Sequence, residues 1–267
     1  MSRSKKRYGD WALVAGAAEG LGAAFSEVLA SWGLHVIMVD RDAGKMKTTA
    51  ERLRHKYSVS IHEIEADLSD KLNVTTLLDQ MKEVNCRLLI YNAAYGPVKD
   101  FLDNTVDELD YYVNLNSRTP LHLIYRFVKS RTAGQRYGIL MMSSLAGLWG
   151  TQLVVPYGAT KAFDYNLAEG LHYELKDRKI DVMACCAGAT DTPNYRSTGP
   201  KKSFIGPSVL DPHYVAKKAL KKLGKKPLYI PGFMNQLTYF LLTRVFTRSF
   251  SSRLMNRTMA KMYKYVS

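Results

Sequence analysis

Ser144, Tyr157 and Lys161 are the residues of this chain whose types and spacing suit chemistry. Tyr157 and Lys161 stand four residues apart, which stacks two side chains on one face of a helix. An ammonium beside a phenol favours the phenolate by direct attraction, so a group with an ordinary pKa of roughly 10 ionises nearer working pH. A phenol tuned in that way gives or takes a proton at an alcohol or a carbonyl. Ser144 lies thirteen residues before Tyr157, at the end of the apolar run 139–142, where its hydroxyl can hold the same substrate oxygen. Alone, Tyr-x-x-x-Lys also describes a half-buried tyrosine beside a solvated lysine. The elements that must position these residues decide between the two.

Apolar runs at 11–15, 35–39, 59–64, 87–91, 137–142 and 180–186 read as strands. Helical patterns at 21–32, 43–56, 73–84, 106–129 and 154–176 alternate with them. Such alternation predicts βαβ units and an α/β, Rossmann-type doubly wound parallel sheet, its apolar strands buried on both faces. Pro120 falls inside 106–129 and predicts a kink or break there. Beyond Thr190 a helix is expected over 211–223, a last strand over 227–230 and a helix over 234–265.

The first strand runs into Gly16-Ala17-Ala18-Glu19-Gly20-Leu21-Gly22 and then into a helix. Its position between strand and helix gives this glycine loop meaning. Gly16 permits the tight turn, Gly20 lets the backbone approach a pyrophosphate, and Gly22 allows close helix–strand packing. The helix start offers free N–H groups to phosphate. Asp40 ends the second strand, where a carboxylate accepts hydrogen bonds from the adenosine ribose hydroxyls. A 2′-phosphate would meet like charge there, so NAD is expected before NADP. Arg41 follows and speaks for a phosphate instead. Asp67, ending the third strand, either contacts the adenine amino group or caps the next helix. The chain divides accordingly into a basic N-terminal tail (1–9), a dinucleotide-binding and catalytic domain (10–230) and an amphipathic, basic helical extension (231–267).

The 267 residues suffice for one such domain, and the formal charge is +14. Residues 201–267 hold fourteen Lys/Arg and one acid, Asp211, and so carry +13 of that excess. The nearly neutral remainder argues against nucleic-acid binding. Cys86, Cys185 and Cys186 show neither metal spacing nor a disulfide framework, which suits a reducing, cytoplasmic setting. The six histidines have no metal spacing either, and no metal site is expected. The basic start leads into Tyr8-Gly9-Asp10 rather than an apolar core, so no secretory signal is expected, and no apolar run reaches the roughly 18 residues of a spanning helix.

Taken jointly, these motifs resemble the classical short-chain dehydrogenase/reductases over roughly residues 10–195. The glycine loop, Asn92-Ala93-Ala94, Ser144, Tyr157-x-x-x-Lys161 and Gly188-x-x-x-Thr192 stand in that family's order. The resemblance implies a nicotinamide-binding fold and hydride transfer between an alcohol or ketone and NAD(P). It assigns Tyr157 as the catalytic acid/base and Lys161 as the group that tunes it and binds the nicotinamide ribose. Ser144, rather than Ser143, becomes the substrate-orienting serine. Asn116, rather than Asn114, becomes the asparagine that holds a relay water. The implied cofactor contacts are Gly16, Ala18, Glu19, Gly20, Leu21, Gly22, Asp40, Arg41, Asp67, Leu68, Asn92, Ala93, Tyr157, Lys161, Gly188, Thr190 and Thr192. Ala15, Tyr91, Ala94 and Ala187 depart from the usual pattern without removing a proton donor. The resemblance also implies a homodimer or homotetramer, paired through the helices at 106–129 and 154–176.

Phe204, Ile205, Tyr229, Phe233, Met234, Leu237, Tyr239 and Phe240 are large and mostly apolar. They point either to a lipophilic alcohol or ketone, steroid-like or fatty-chain, or to plain core. Arg253, Arg257, Lys261 and Lys264 form one basic helical stripe. It suits an anionic membrane surface, an acidic partner or phosphate-bearing carrier, or a helix packed with its charges in water. A second class of function stays open beside the oxidoreductase: a nicotinamide-responsive binding or scaffold protein that docks through this basic end.

Overall fold

The computed structural model describes residues 2–201 and 208–263. Seven strands form one parallel sheet: β1 (Trp11–Ala15), β2 (His35–Asp40), β3 (Ile61–Glu65), β4 (Leu88–Tyr91), β5 (Tyr137–Ser144), β6 (Ile180–Ala187) and β7 (Leu228–Tyr229). The order is β3-β2-β1-β4-β5-β6-β7, so the chain winds outward from β1 in both directions. The crevice between the carboxyl ends of β1 and β4 is therefore the switch point at which open α/β sheets bind ligands.

The helices are α1 (Arg3–Tyr8), α2 (Gly20–Ser31), α3 (Ala43–Lys56), α4 (Lys71–Glu83), α5 (Val106–Val113), α6 (Thr119–Lys129), α7 (Val155–Glu174), α8 (Pro193–Ser197), α9 (Pro212–Lys222), α10 (Phe233–Phe240) and α11 (Arg248–Tyr263). Successive side chains of β1 enter opposite cores, as the pleat requires. Ala12 and Val14 pack with α2, α3 and α9; Leu13 and Ala15 pack with α4, α6 and α7. This two-sided burial explains why the inner strands read as unbroken apolar runs.

Three features differ from the sequence reading. The first nine residues are not a free tail. Tyr8 is 2% exposed, and its hydroxyl donates to Asp181 Oδ2 on β6 at 2.8 Å, beside the Arg7 Nε contact to the same oxygen at 2.8 Å. The stretch 106–129 carries the irregularity expected at Pro120, but as a π-helical turn at Asn114–Arg118 just before the proline, with the chain helical throughout. The final helix is two helices. A π-helical turn at Leu241–Val245 ends α10, Phe246 is extended, and Thr247 Oγ1 accepts from Phe250 N–H at 3.4 Å to start α11. Phe204, Ile205 and Lys264 lie outside the described residues.

Candidate active site

Tandem serines end β5, and the alternation of the strand separates their tasks. Ser143 is buried and donates to the Lys161 carbonyl at 2.7 Å, fastening α7 to the sheet. Ser144 turns the other way. Its Oγ accepts from Ala146 N–H at 3.2 Å, which leaves its own O–H for a substrate oxygen. Two glycines set how closely α7 approaches. A Cβ on Gly147 would stand 2.7 Å from Ala162 N, and one on Gly158 would stand 2.9 Å from the Ala146 carbonyl. The small pair brings Tyr157 and Lys161 to the end of β5.

Tyr157 is half-buried, and Gly96, in the loop after β4, lies flat against its ring; a Cβ there would land on the ring carbons. The Lys161 ammonium stands 5.8 Å from the Tyr157 ring centroid. Lys161 Nζ donates to the Met142 carbonyl at 2.8 Å and to Asp164 Oδ2 at 2.9 Å. Both partners of this ion pair are sealed, their side chains 2% and 1% exposed. Burial alone would lower the Lys161 ammonium, but the facing Asp164 carboxylate and the Tyr157 phenol raise it above its ordinary value. Burial holds the Asp164 carboxyl above the usual aspartate range, against the pull of Lys161. Asp164 Oδ1 has no hydrogen-bond partner among the described residues.

Asn116 sits in the π-helical turn and is fully buried. Its side chain is committed: Oδ1 accepts from Tyr95 N–H at 2.9 Å, and Nδ2 donates to the Tyr95 carbonyl at 2.8 Å and to Thr160 Oγ1 at 3.0 Å. Four residues on stands Pro120, which has no N–H, so the Asn116 carbonyl receives no ordinary α-helical hydrogen bond.

The glycine loop lies at the switch point. Gly16 takes φ +76, where a Cβ would stand 2.7 Å from the Ala93 backbone, and Asn92 Nδ2 donates to the Gly16 carbonyl at 2.8 Å. Gly20 packs against the Thr192 side chain, and Gly22 lies against the Gly16 carbonyl. Glu19, the cap residue of α2, makes no side-chain cap bond, so the N–H groups at Leu21 and Gly22 lack a capping side chain. An anion suits such a helix start. Asp40 faces the loop: Oδ2 accepts from Ala18 N–H at 2.9 Å and Oδ1 from Asp42 N–H at 3.1 Å. These cradle residues fit a dinucleotide.

The other predicted contacts are placed less directly. The Arg41 guanidinium turns to the Tyr111 hydroxyl at 2.8 Å, and the Glu19 carboxylate pairs with Lys45 at 3.2 Å. Asp67 accepts from Ser69 N–H at 2.8 Å, while Asp70, not Asp67, caps α4. The Leu68 side chain is core. Thr190 Oγ1 donates to the Gly188 carbonyl at 3.1 Å, and Thr192 caps α8. The sequence reading missed Gly96 and Asp164. Gly96-Pro97 carries only a turn signal. Asp164 carries a clearer one, a charge three residues past Lys161 on the stripe that also holds Ala168. Cys185 and Cys186 are free and buried on opposite faces of β6, and burial pushes the Cys186 thiol up to about 12. Among the described residues no cluster of three His, Cys, Asp or Glu suits a metal.

Comparison with known proteins places this geometry. Residues 10–203 match the short chain dehydrogenase family. The chain is 28% identical over 235 residues to the 7beta-hydroxysteroid dehydrogenase of Mediterraneibacter gnavus, covering 87% of this chain and 89% of that one. A solved structure concerned with 7beta-hydroxysteroid dehydrogenase stereoselectivity superposes with a TM-score of 0.84 at 26% identity, over 94% of this chain and 98% of that one. A short-chain dehydrogenase from Sphingobium yanoikuyae in complex with NADPH superposes with a TM-score of 0.74 at 25% identity, over 89% and 96%.

Proposed function

The chain belongs to the short chain dehydrogenase family, and from that premise we propose that it transfers a hydride between a nicotinamide dinucleotide and the hydroxyl or carbonyl carbon of a lipophilic, steroid-like or fatty-chain molecule. The observation that carries this reading is one constellation. Ser144 with its O–H uncommitted, Tyr157 and the sealed Lys161 converge at the end of β5, on the same sheet edge as the uncapped start of α2.

When bound, the nicotinamide supplies or accepts the hydride. The chain's own groups supply position and proton transfer. In oxidation Ser144 and Tyr157 share the substrate hydroxyl, and Tyr157 takes its proton. Lys161 faces Tyr157 and keeps one N–H that Met142 and Asp164 do not take, which would be its donor to the nicotinamide ribose. A water on the Asn116 carbonyl passes the proton outward. Reduction follows the same path backward. Tyr157→Phe tests the assignment. It should keep NADH binding, read by fluorescence, and lose roughly a hundredfold to ten-thousandfold in turnover of a hydroxysteroid probe. Retained turnover removes the role of Tyr157.

For the cofactor, Asp40 supports NAD, since its carboxylate borders the glycine loop through Ala18 and Arg41 is engaged by Tyr111. NADPH in the Sphingobium yanoikuyae relative speaks for the phosphorylated form. For assembly, the α5–α6 and α7 surfaces expose Val113, Tyr125, Phe163 and Tyr173, which supports pairing of two copies there. The basic C-terminal helices supply a contact for an acidic partner or an anionic lipid surface.

A further inference from the structure

The strongest unpartnered surface lies on α10 and α11. Phe233, Met234, Leu237, Phe240, Leu241 and Val245 follow a helical repeat along α10 and its π-helical extension. They are 76%, 56%, 39%, 55%, 36% and 58% exposed. A core helix buries such a stripe; this one turns it outward. The stripe does not stop at the break. Phe246 stacks on Phe250 with centroids 4.7 Å apart, both rings exposed, and carries the apolar surface onto α11. From Phe250 the same face of α11 continues through Arg253, Arg257 and Lys261, all exposed. Arg244 and Arg248 flank the junction, and no acidic residue follows Asp211.

The placement of α11 ties this surface to the chemistry. Asn256 accepts from Gln152 N–H at 2.8 Å and donates to the Gly150 carbonyl at 2.9 Å, in the loop between Ser144 and Tyr157. At its far end the Met262 carbonyl accepts from Lys201 N–H at 3.1 Å, beyond α8. The helix thus ties the loop that leaves the carboxyl end of β5 and leads to Tyr157 to the segment that follows α8.

We infer that α10 and α11 dock in the plane of an anionic lipid surface. The apolar stripe enters the acyl boundary, and Arg253, Arg257 and Lys261 lie on the headgroups. Charge complementarity selects this occupant. A second copy would bring the same excess of positive charge against itself, whereas an anionic bilayer offers both acyl chains and negative charge. Long arginine stems extend from the stripe to the headgroup level. Among the described residues no helix is long and apolar enough to cross a membrane, so the contact is in-plane. The inference rests on the proposed function for its purpose, delivery of a lipophilic substrate to the active site, but not for its geometry.

The experiment is co-flotation of the full chain with vesicles of phosphatidylcholine alone or mixed with phosphatidylserine, with NADH and NADPH binding measured in parallel. The wild type should float with the mixed vesicles only, and less at high salt. Phe240→Glu with Phe250→Glu should abolish flotation. Arg253→Gln with Arg257→Gln should weaken it about thirtyfold. Thermal unfolding should be unchanged in both variants. Flotation without binding of either nucleotide would sink the dehydrogenase reading and leave the docking standing. Absent flotation of the wild type, or equal flotation of the variants, overturns the docking. Phe240→Glu with Phe250→Glu splitting a dimer that does not float would assign the face to a second copy, and overturns it too.

Discussion

Asp164 Oδ2 lies 2.9 Å from Lys161 Nζ, and the pair is closed to solvent. The lysine that faces Tyr157 therefore works with a counter-charge at its back. Around the pair stand Tyr91 on β4, Cys186 on β6, its thiol neutral at working pH, and Glu169 further along α7. Asp164→Asn removes the nearest negative charge. The ammonium then holds its proton less firmly in its buried seat. The limb of the pH–rate profile for oxidation that reports Lys161 should move toward acid. A profile that keeps its position while melting falls would make the pair a structural tie alone.

Gly96 offers a second test. Any side chain there meets the Tyr157 ring. Gly96→Ala should lower kcat about a hundredfold for a ring displacement of about 1 Å, with NADH affinity kept. Loss of NADH binding instead would mean that the loop, not the ring, had moved.

Asp40 predicts the cofactor. Fluorescence titration should show NADH binding about tenfold more tightly than NADPH, and Asp40→Ser should remove the difference. Tighter NADPH in the wild type would assign Arg41 to the 2′-phosphate.

Glu27, on α2, joins three elements. It accepts from Arg52 and Lys56 of α3, each at 2.8 Å, and from His213 of α9 at 3.0 Å. Burial would raise its carboxyl, but hydrogen bonds from Lys56, His213 and Arg52 outweigh burial and hold it at about 2, below the ordinary 4.5. A carboxyl lowered by folding adds stability above its unfolded value and loses it as pH falls through the folded one. Glu27→Gln should therefore cost about 2 kcal/mol at pH 7, discounted for screening at the exposed partners. The cost should vanish between pH 4.5 and about 2, read by denaturant melts. A cost independent of pH would place it in packing rather than charge.

The sheet was legible in the sequence because burial on both faces leaves each inner strand an apolar run, bounded by glycines and caps. The glycine loop and the Ser144, Tyr157 and Lys161 set were legible because backbone turns and helix stacking fix their spacing locally. Asp164 was not. An aspartate on a helix ordinarily faces water, and only the packing of α7 on β5 and β6 seals it. The break at Phe246–Thr247 was hidden because the apolar and basic periodicity runs through it, and a lone threonine cap is a weak interruption. Tyr8 was read as tail because its partner, Asp181, lies 173 residues away.

That separation has a consequence for the order in which the chain is made. Helix α1 leaves the ribosome before any of the seven strands, yet Asp181, which holds Tyr8, follows only after five of them have been synthesised. Six residues hold no stable helix by themselves. Lys5 can meet Gly33 and Asp10 early, but Arg7 and the Tyr8 hydroxyl gain their carboxylate only when β6 has been added beside β5. Protection of the Tyr8 hydroxyl would mark, in time, the moment at which the catalytic strand β5 has gained β6 as its neighbour.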